Sequence, residues 1–296
     1  MTAASLRALL DGIVDYAGLF PPASLDMRAA VLNYREYLAS SEAWALGRFV
    51  LPIARLAEYE DARRGIQGGE LGSPPWRLSG LTGGDTLADI ARAAEFNVMG
   101  GADMIDALET KLGTVDDIRR VASRLTGDME LFVEVPVRED PLALLRAVAD
   151  VGAKAKIRTG GTTEDAFPSS REVARFIRRC VEVGAPFKAT AGLHHPIRAR
   201  YHLTYDPNAP EGVMFGFLNV FLAAALLRAG GSEDDAVAML ETTDAGDLLF
   251  DDFGLSWREH RLTTDQLRMA RRSLARSFGS CSFSEPVDDL RALALI

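Results

Sequence analysis

Apolar residues along this chain alternate between two patterns. Short runs rich in Val, Ile, Leu and Phe read as strands, and the stretches after them, with apolar residues every three to four positions, read as helices. Gly12–Ala17 is a first strand and Leu25–Leu38 a helix after a Phe-Pro-Pro turn, followed by the strand Arg48–Ile53 and the helix Ala54–Arg64. Gly65–Pro75 is rich in Gly and Pro and reads as a loop. The alternation then resumes with strand Leu78–Thr82, helix Thr86–Phe96 and strand Met104–Glu109. Thr114 opens a helix whose Ile118, Val121, Ala122 and Leu125 share one face, and Glu130–Pro136 is a short apolar strand interrupted by Glu134. Asp140-Pro141 starts the next helix, with Pro at its first position. A strand carrying Lys154 and Lys156 follows, then a helix opened by the capping box Ser169-x-x-Glu172, with a stripe of Val173, Phe176, Ile177, Cys180 and Val181. Phe187–Ala191 is the next strand.

Helices between consecutive strands imply right-handed crossovers and a parallel sheet. Seven such units by Ala191 predict an α/β fold of the closed (β/α)8 TIM-barrel type, and no Gly-x-Gly-x-x-Gly marks a dinucleotide site. From Arg198 to Ala270 the rhythm changes: Tyr205–Gly212 is a loop, Met214–Arg228 a buried helix, Ser232–Leu240 an amphipathic one, and Asp244–Trp257 acidic and aromatic without a period. Residues 198–270 therefore read as a helical insertion before the last strand, a lid or a homo-oligomer contact, within a single domain spanning 1–296. The last strand is expected over Arg276–Phe283, with Val287–Leu293 closing the barrel as a helix.

Composition narrows the function. At 296 residues, with 48% hydrophobic and 25% charged residues, the chain suits one large core. A net charge of −9 without a basic block argues against a nucleic-acid partner. The Arg-rich run Arg268–Arg276 reads as a solvated helix face. The first residues lack a basic segment followed by an apolar run, and the longest apolar run, Val213–Leu227, contains Asn219 and is too short to span a membrane, so a cytoplasmic protein with a small-molecule substrate is expected. Cys180 and Cys281 have no metal spacing and read as small core residues.

The lysines point to chemistry. The chain has four of them against twenty-nine arginines, and Lys154, Lys156 and Lys188 all lie in two strands. Pleat alternation puts Lys154, Lys156 and Arg158 on one face and Ala153, Ala155 and Ile157 on the other, which suits the helix layer. Lys188 and Thr190 face inward by the same argument, and on the neighbouring strand Phe132, Glu134 and Pro136 form one face and Leu131, Val133 and Val135 the other. Burial and a second cation each lower a lysine pKa, the usual route to a neutral amine nucleophile. Glu134 or Asp106 is the candidate acid/base or counter-ion, and the competing reading is a structural network of lysines and carboxylates.

These residues carry a resemblance. Val14-Asp15-Tyr16 running to Leu19-Phe20-Pro21, Gly101-Ala102-Asp103-Met104-Ile105-Asp106, Lys156-Ile157-Arg158-Thr159-Gly160 and Phe187-Lys188-Ala189-Thr190-Ala191-Gly192 occur in the order of the strand motifs of one enzyme family. In that order the chain resembles the class I aldolases of the deoxyribose-phosphate aldolase type, over about residues 12 to 193 and the last strand. The resemblance implies a TIM barrel, a lyase working through a Schiff base on Lys156, Lys188 as the cation that depresses its pKa, and Asp106 as proton-transfer partner, with no cofactor. Candidate substrate-binding residues are Asp15, Arg158, Thr159, Gly160, Thr190, His194, His195, Ser280 and Ser282. His194 and His195 lie past a strand end, where barrel sites sit, and adjacent extended residues point opposite ways, so at most one of them enters the site. Ser280-Cys281-Ser282, after Gly279, would present backbone N–H groups to an anion at the mouth of the last strand, and Tyr16–Pro22 either walls the pocket or is a Pro-fixed turn. Two further readings stay open: metal or acid/base chemistry from Glu134, Asp106 and a histidine, and a non-catalytic binding barrel.

Overall fold

The computed structural model describes residues 2–67, 74–99, 101–125 and 128–296. Eight parallel strands close into a barrel: β1 (Val14–Tyr16), β2 (Leu46–Pro52), β3 (Arg77–Leu81), β4 (Met104–Lys111), β5 (Glu130–Glu134), β6 (Lys154–Arg158), β7 (Phe187–Thr190) and β8 (Ala275–Ser280). They pair in sequence order, and β8 closes against both β7 and β1. This is a (β/α)8 barrel. The Gly- and Pro-rich stretch 65–75 differs from the expected loop, because the helix Leu56–Gln67 runs through Gly65; residues 68–73 lie outside the described residues.

Helix ends follow local chemistry. Ser169 and Glu172 form the reciprocal capping box, and the helix Ser170–Val183 stops at Gly184, whose φ of +70° suits a residue without Cβ. Its Val173, Phe176, Ile177 and Cys180 are buried against the sheet, as the stripe predicts.

The segment 198–270 differs most from expectation, since about half of it is not helical insertion. A hairpin of Ala199–His202 and Glu211–Met214 follows β7 at the upper, C-terminal mouth of the barrel. The helix Phe217–Arg228 then forms the wall between β7 and β8, packing on the helices Ser170–Val183, Glu233–Leu240 and Thr264–Ser273. Eleven of its twelve residues are buried, which explains its unbroken apolar sequence. Its one polar interior residue, Asn219, accepts from the Arg198 N–H and donates to the carbonyls of Met239 and Thr242, so its burial leaves no unmet group. A three-stranded antiparallel sheet (Leu249–Asp251, Gly254–Trp257, His260–Thr263) packs against the N-terminal helix Ala4–Leu10 on the lower side. Only the hairpin is placed as a lid would be. No described helix is long and apolar enough to cross a membrane.

Candidate functional site

Strand register decides which side chains meet inside the barrel. Lys156 on β6 lies opposite Glu134 on β5 and Lys188 on β7, and all three face inward. Lys188 is fully buried and donates to Asp15 Oδ2 and Glu109 Oε1, each at 2.6 Å. Burial alone would lower its pKa, but Asp15 and Glu109 outweigh that and raise it, so it is a fixed ammonium. Lys156, its register partner, lines the upper cavity, with Nζ 3.2 Å from Glu109 Oε2 and 3.2 Å from Glu134 Oε2. Glu109 thus receives one lysine on each oxygen and a third hydrogen bond from Ser79. Burial pushes its carboxyl up, yet Lys188 and Lys156 prevail and hold it down at about 2.

This corrects the expected role of Lys188. Its charge is taken up by two carboxylates, one of which stands between the two ammonium groups, so it does not act on Lys156 as an unscreened cation. Asp106 also lies elsewhere. The β3–β4 register skips at this residue, Leu78 pairing with Ile105 and Ser79 with Ala107, and Asp106 is left at the lower end with Arg48 and Arg77. Glu109, three residues on, occupies the interior in its place. One sequence signal favoured it: barrel chemistry gathers at the C-terminal ends of strands, and Glu109 is nearer that end of β4.

Above Lys156 a cavity of about 260 Å³ opens at the upper mouth. Ala17, Phe20, Pro21 and Pro22 form its apolar wall, and Glu109, Lys156, Arg158, Thr190, His194 and Cys281 supply its polar groups. Arg158 makes no ion pair among the described residues, and its residue is exposed. Thr159 and Gly160 build the floor of the loops rather than the cavity wall. The Thr159 hydroxyl donates to the Ala191 carbonyl at 2.7 Å, strapping the β6 loop to the β7 loop. Ala191 and Gly192 both have left-handed backbone, at φ of +63° and +71°. A Cβ on Gly192 would lie 2.9 Å from Gly160 Cα and from the Phe167 ring, so the approach of the two loops requires glycine.

The histidines separate as alternation predicts. His194 lines the cavity, with Nδ1 3.7 Å from Cys281 Sγ and 3.5 Å from Glu285 Oε2. Burial would lower its pKa, but the contacts with Cys281 and Glu285 push it up to about 9. His195 turns away, stacked on Tyr201 at 3.5 Å between ring centroids and bonded to Asp289 at 2.6 Å. Tyr205, from the hairpin turn, donates to Glu285 at 3.0 Å and approaches Cys281 Sγ at 3.4 Å.

Asp15 is buried and held by Lys188, by Ser277 and by the Arg48 N–H. Gly47 permits that last bond, because a Cβ there would sit 2.4 Å from Asp15 Oδ1. Asp15 is therefore a support of Lys188, not a wall of the cavity. In the stretch after β8, Gly279 and Cys281 line the cavity, while the Ser280 side chain is fully buried and Ser282 Oγ accepts from the Glu285 N–H at the start of the helix Ser284–Ala292. Alternation beyond β8 turns Cys281 toward the cavity, between the two serines. Cys281, read from composition as core, is buried at the cavity edge, and only the turn of the chain after β8 brings it to His194.

Glu134, Asp106 and the histidines do not converge. Among the described residues, the one group of three that offers ligand atoms close together is Asp235, Glu259 and His260, outside the barrel. The fold and site define a TIM barrel with a lysine and two carboxylates at its upper mouth. No protein-family model matches the chain, and no curated protein matches it.

Proposed function

We propose that this barrel is a Schiff-base-forming lyase, aldolase-like in its chemistry, that acts on a small carbonyl compound through Lys156. The supporting observation is the position of one amine: Lys156 is the lysine that lines the upper cavity, 3.2 Å from a carboxylate that can take its proton. Glu134 is that carboxylate, because its side chain is 16% exposed against 3% for Glu109, which Lys188 and Ser79 hold in place.

The steps balance without a cofactor. Glu134 accepts a proton from the Lys156 ammonium, and the amine adds to the substrate carbonyl carbon. Returned to the carbinolamine oxygen, the same proton lets it leave as water, giving an iminium on Lys156. The bond between the α- and β-carbons then breaks, its electron pair passing into the iminium. The β-hydroxyl gives up its proton to a carboxylate and departs with the β-carbon as a carbonyl compound. The same proton then returns to the enamine carbon, and water hydrolyses the resulting iminium to free the second product and Lys156. Arg158, without an ion pair among the described residues, suits a carboxylate or phosphate on the substrate. His194, held cationic by Glu285, adds a second positive charge at the rim.

Borohydride trapping tests this reading. Incubation with a panel of small aldehydes and ketones, then reduction and peptide mass mapping, is expected to place the adduct on Lys156 and to lose it in Lys156→Met. An unmodified Lys156 under conditions that trap a control aldolase overturns the proposal.

A further inference from the structure

The lower, N-terminal mouth of the barrel holds a second cavity, of about 550 Å³, which the lyase reading does not use. Seven arginines and two aspartates line it. Of the aspartates, Asp15 has its carboxylate on Lys188 and Ser277, which leaves Asp11. Two of the arginines, Arg48 and Arg77, are held by Asp106. Arg276 lies 3.5 Å from Glu130, and Arg268 pairs with Asp265 on its own helix at a side-chain exposure of 42%. The remaining three, Arg7, Arg271 and Arg272, make no ion pair among the described residues.

Arg271 is the telling one. It is buried and donates to the backbone carbonyls of Leu9, Asp11, Ala275 and Arg276, which takes up four of its five N–H groups while its charge has no carboxylate. Burial and the neighbouring Arg276 disfavour its cationic form, a cost that a bound anion would relieve. The run Arg268–Arg276, which reads as a solvated helix face in the sequence, is thus folded around a cavity. In a chain of net charge −9, such a concentration of guanidinium groups is a local positive field that attracts anions to this mouth.

We infer that the lower cavity binds a small condensed phosphate, supplied as free polyphosphate or as the triphosphate of a nucleotide. Guanidinium forks match phosphate oxygens in pairs. The arginines surround a space in the range of small-molecule sites, so several can meet one extended polyanion at once. The competing account is that these side chains only cap the carbonyls at the C-terminal ends of the helices Ala4–Leu10 and Thr264–Ser273.

Titration calorimetry of the full chain with sodium tripolyphosphate and with ATP, in low salt without divalent metal, decides between them. Saturable binding is expected, weakened tenfold or more in Arg268→Ala/Arg272→Ala and again by 0.3 M KCl, with an order of magnitude as the least effect at this number of contacts (roughly, from). Arg7→Ala serves as a second variant, since its exposed side chain anchors no backbone carbonyl among the described residues. Tighter binding of ATP identifies a nucleotide and tighter binding of tripolyphosphate a free polyphosphate, and either supports the site. Absence of saturable binding by both, or unchanged affinity in both variants, overturns it and leaves the arginines as helix caps. The readout is independent of Lys156, so failure of the lyase reading does not bear on it.

Discussion

The two mouths of this barrel differ in the cations that carry their ion pairs, lysine at the upper and chiefly arginine at the lower. At the upper one, Lys156 and Lys188 share Glu109, with Glu134 and Asp15 as outer partners. The lower end instead sets Arg48 between Asp106 and Glu130, with Lys154 on Glu130 at 2.5 Å. The Phe132 ring lies between the layers, its centroid 5.3 Å from Lys188 Nζ and 5.6 Å from Lys154 Nζ. Asp15 joins them, one oxygen accepting from the Arg48 N–H and the other from Lys188. A guanidinium stays protonated in a protein, whereas an ammonium can give up its proton to a neighbour. The guanidinium groups of the lower network can therefore only hold charge. Its one ammonium, Lys154, whose pKa burial lowers, is committed to Glu130, whereas Lys156 stands at a cavity where a proton it gives up can serve a bound substrate.

The largest expected effect tests whether the upper network has two unlike members. Lys188→Met leaves Asp15 and Glu109, both at most 2% exposed, without their shared cation. Breaking a buried pair in this way costs about 3–5 kcal/mol. Lys156→Met leaves Glu109 with Lys188 and lets Glu134 reach solvent, at a cost of about 1–3 kcal/mol. Urea unfolding of both variants measures the difference, and equal losses would make Lys156 as structural as Lys188. Next in size is Arg48→Met at the lower end. Asp106 keeps Arg77 and Glu130 keeps Lys154, so the loss is expected near the lower value, about 1–3 kcal/mol. A loss as great as that of Lys188→Met would show the two layers to be equally dependent on one cation.

Much of this was legible from residue order. Alternation of apolar patterns fixed eight strands in a closed sheet, and pleat parity alone turned Lys154, Lys156 and Lys188 inward. What escaped depended on contacts between distant segments. The displaced register at Asp106 is invisible to period-two counting, because one extra residue reverses the faces on either side of it. Neither the pairing of Cys281 with His194, 87 positions apart, nor the approach of Tyr205 to Cys281 and Glu285 has a local signature. The helix Phe217–Arg228 was identifiable as buried, but its lack of a polar face gave no hint that it completes the barrel wall rather than an insertion. The strands of the antiparallel sheet lie in a stretch of acidic and aromatic residues without regular period, and their pairing rests on turns and on the N-terminal helix they cover.

The smallest effect concerns the rim of the upper mouth, and its sign follows from linkage. His194 faces Cys281 and Glu285, with Tyr205 bonded to the same carboxylate, and its pKa is raised from 6.5 to about 9. A raised pKa means that the folded protein holds the proton more tightly than the unfolded chain does. Its stabilisation is complete below pH 6.5 and is lost as pH rises through about 9. Stability measured by urea unfolding across that window should therefore decline in the wild type, and the decline should be shallower in His194→Gln, which keeps a polar group but cannot titrate. Below pH 6.5 the variant should be the less stable of the two, and the curves should approach each other toward pH 9. No counterpart is expected at the lower mouth, where the arginines do not titrate in this range, so Arg268→Ala should leave the slope unchanged. A variant curve parallel to the wild type would mean that His194 is not held cationic by Glu285. The upper mouth would then lose its second positive charge, and Arg158 would be left as the one guanidinium lining the upper cavity that could meet an anionic substrate.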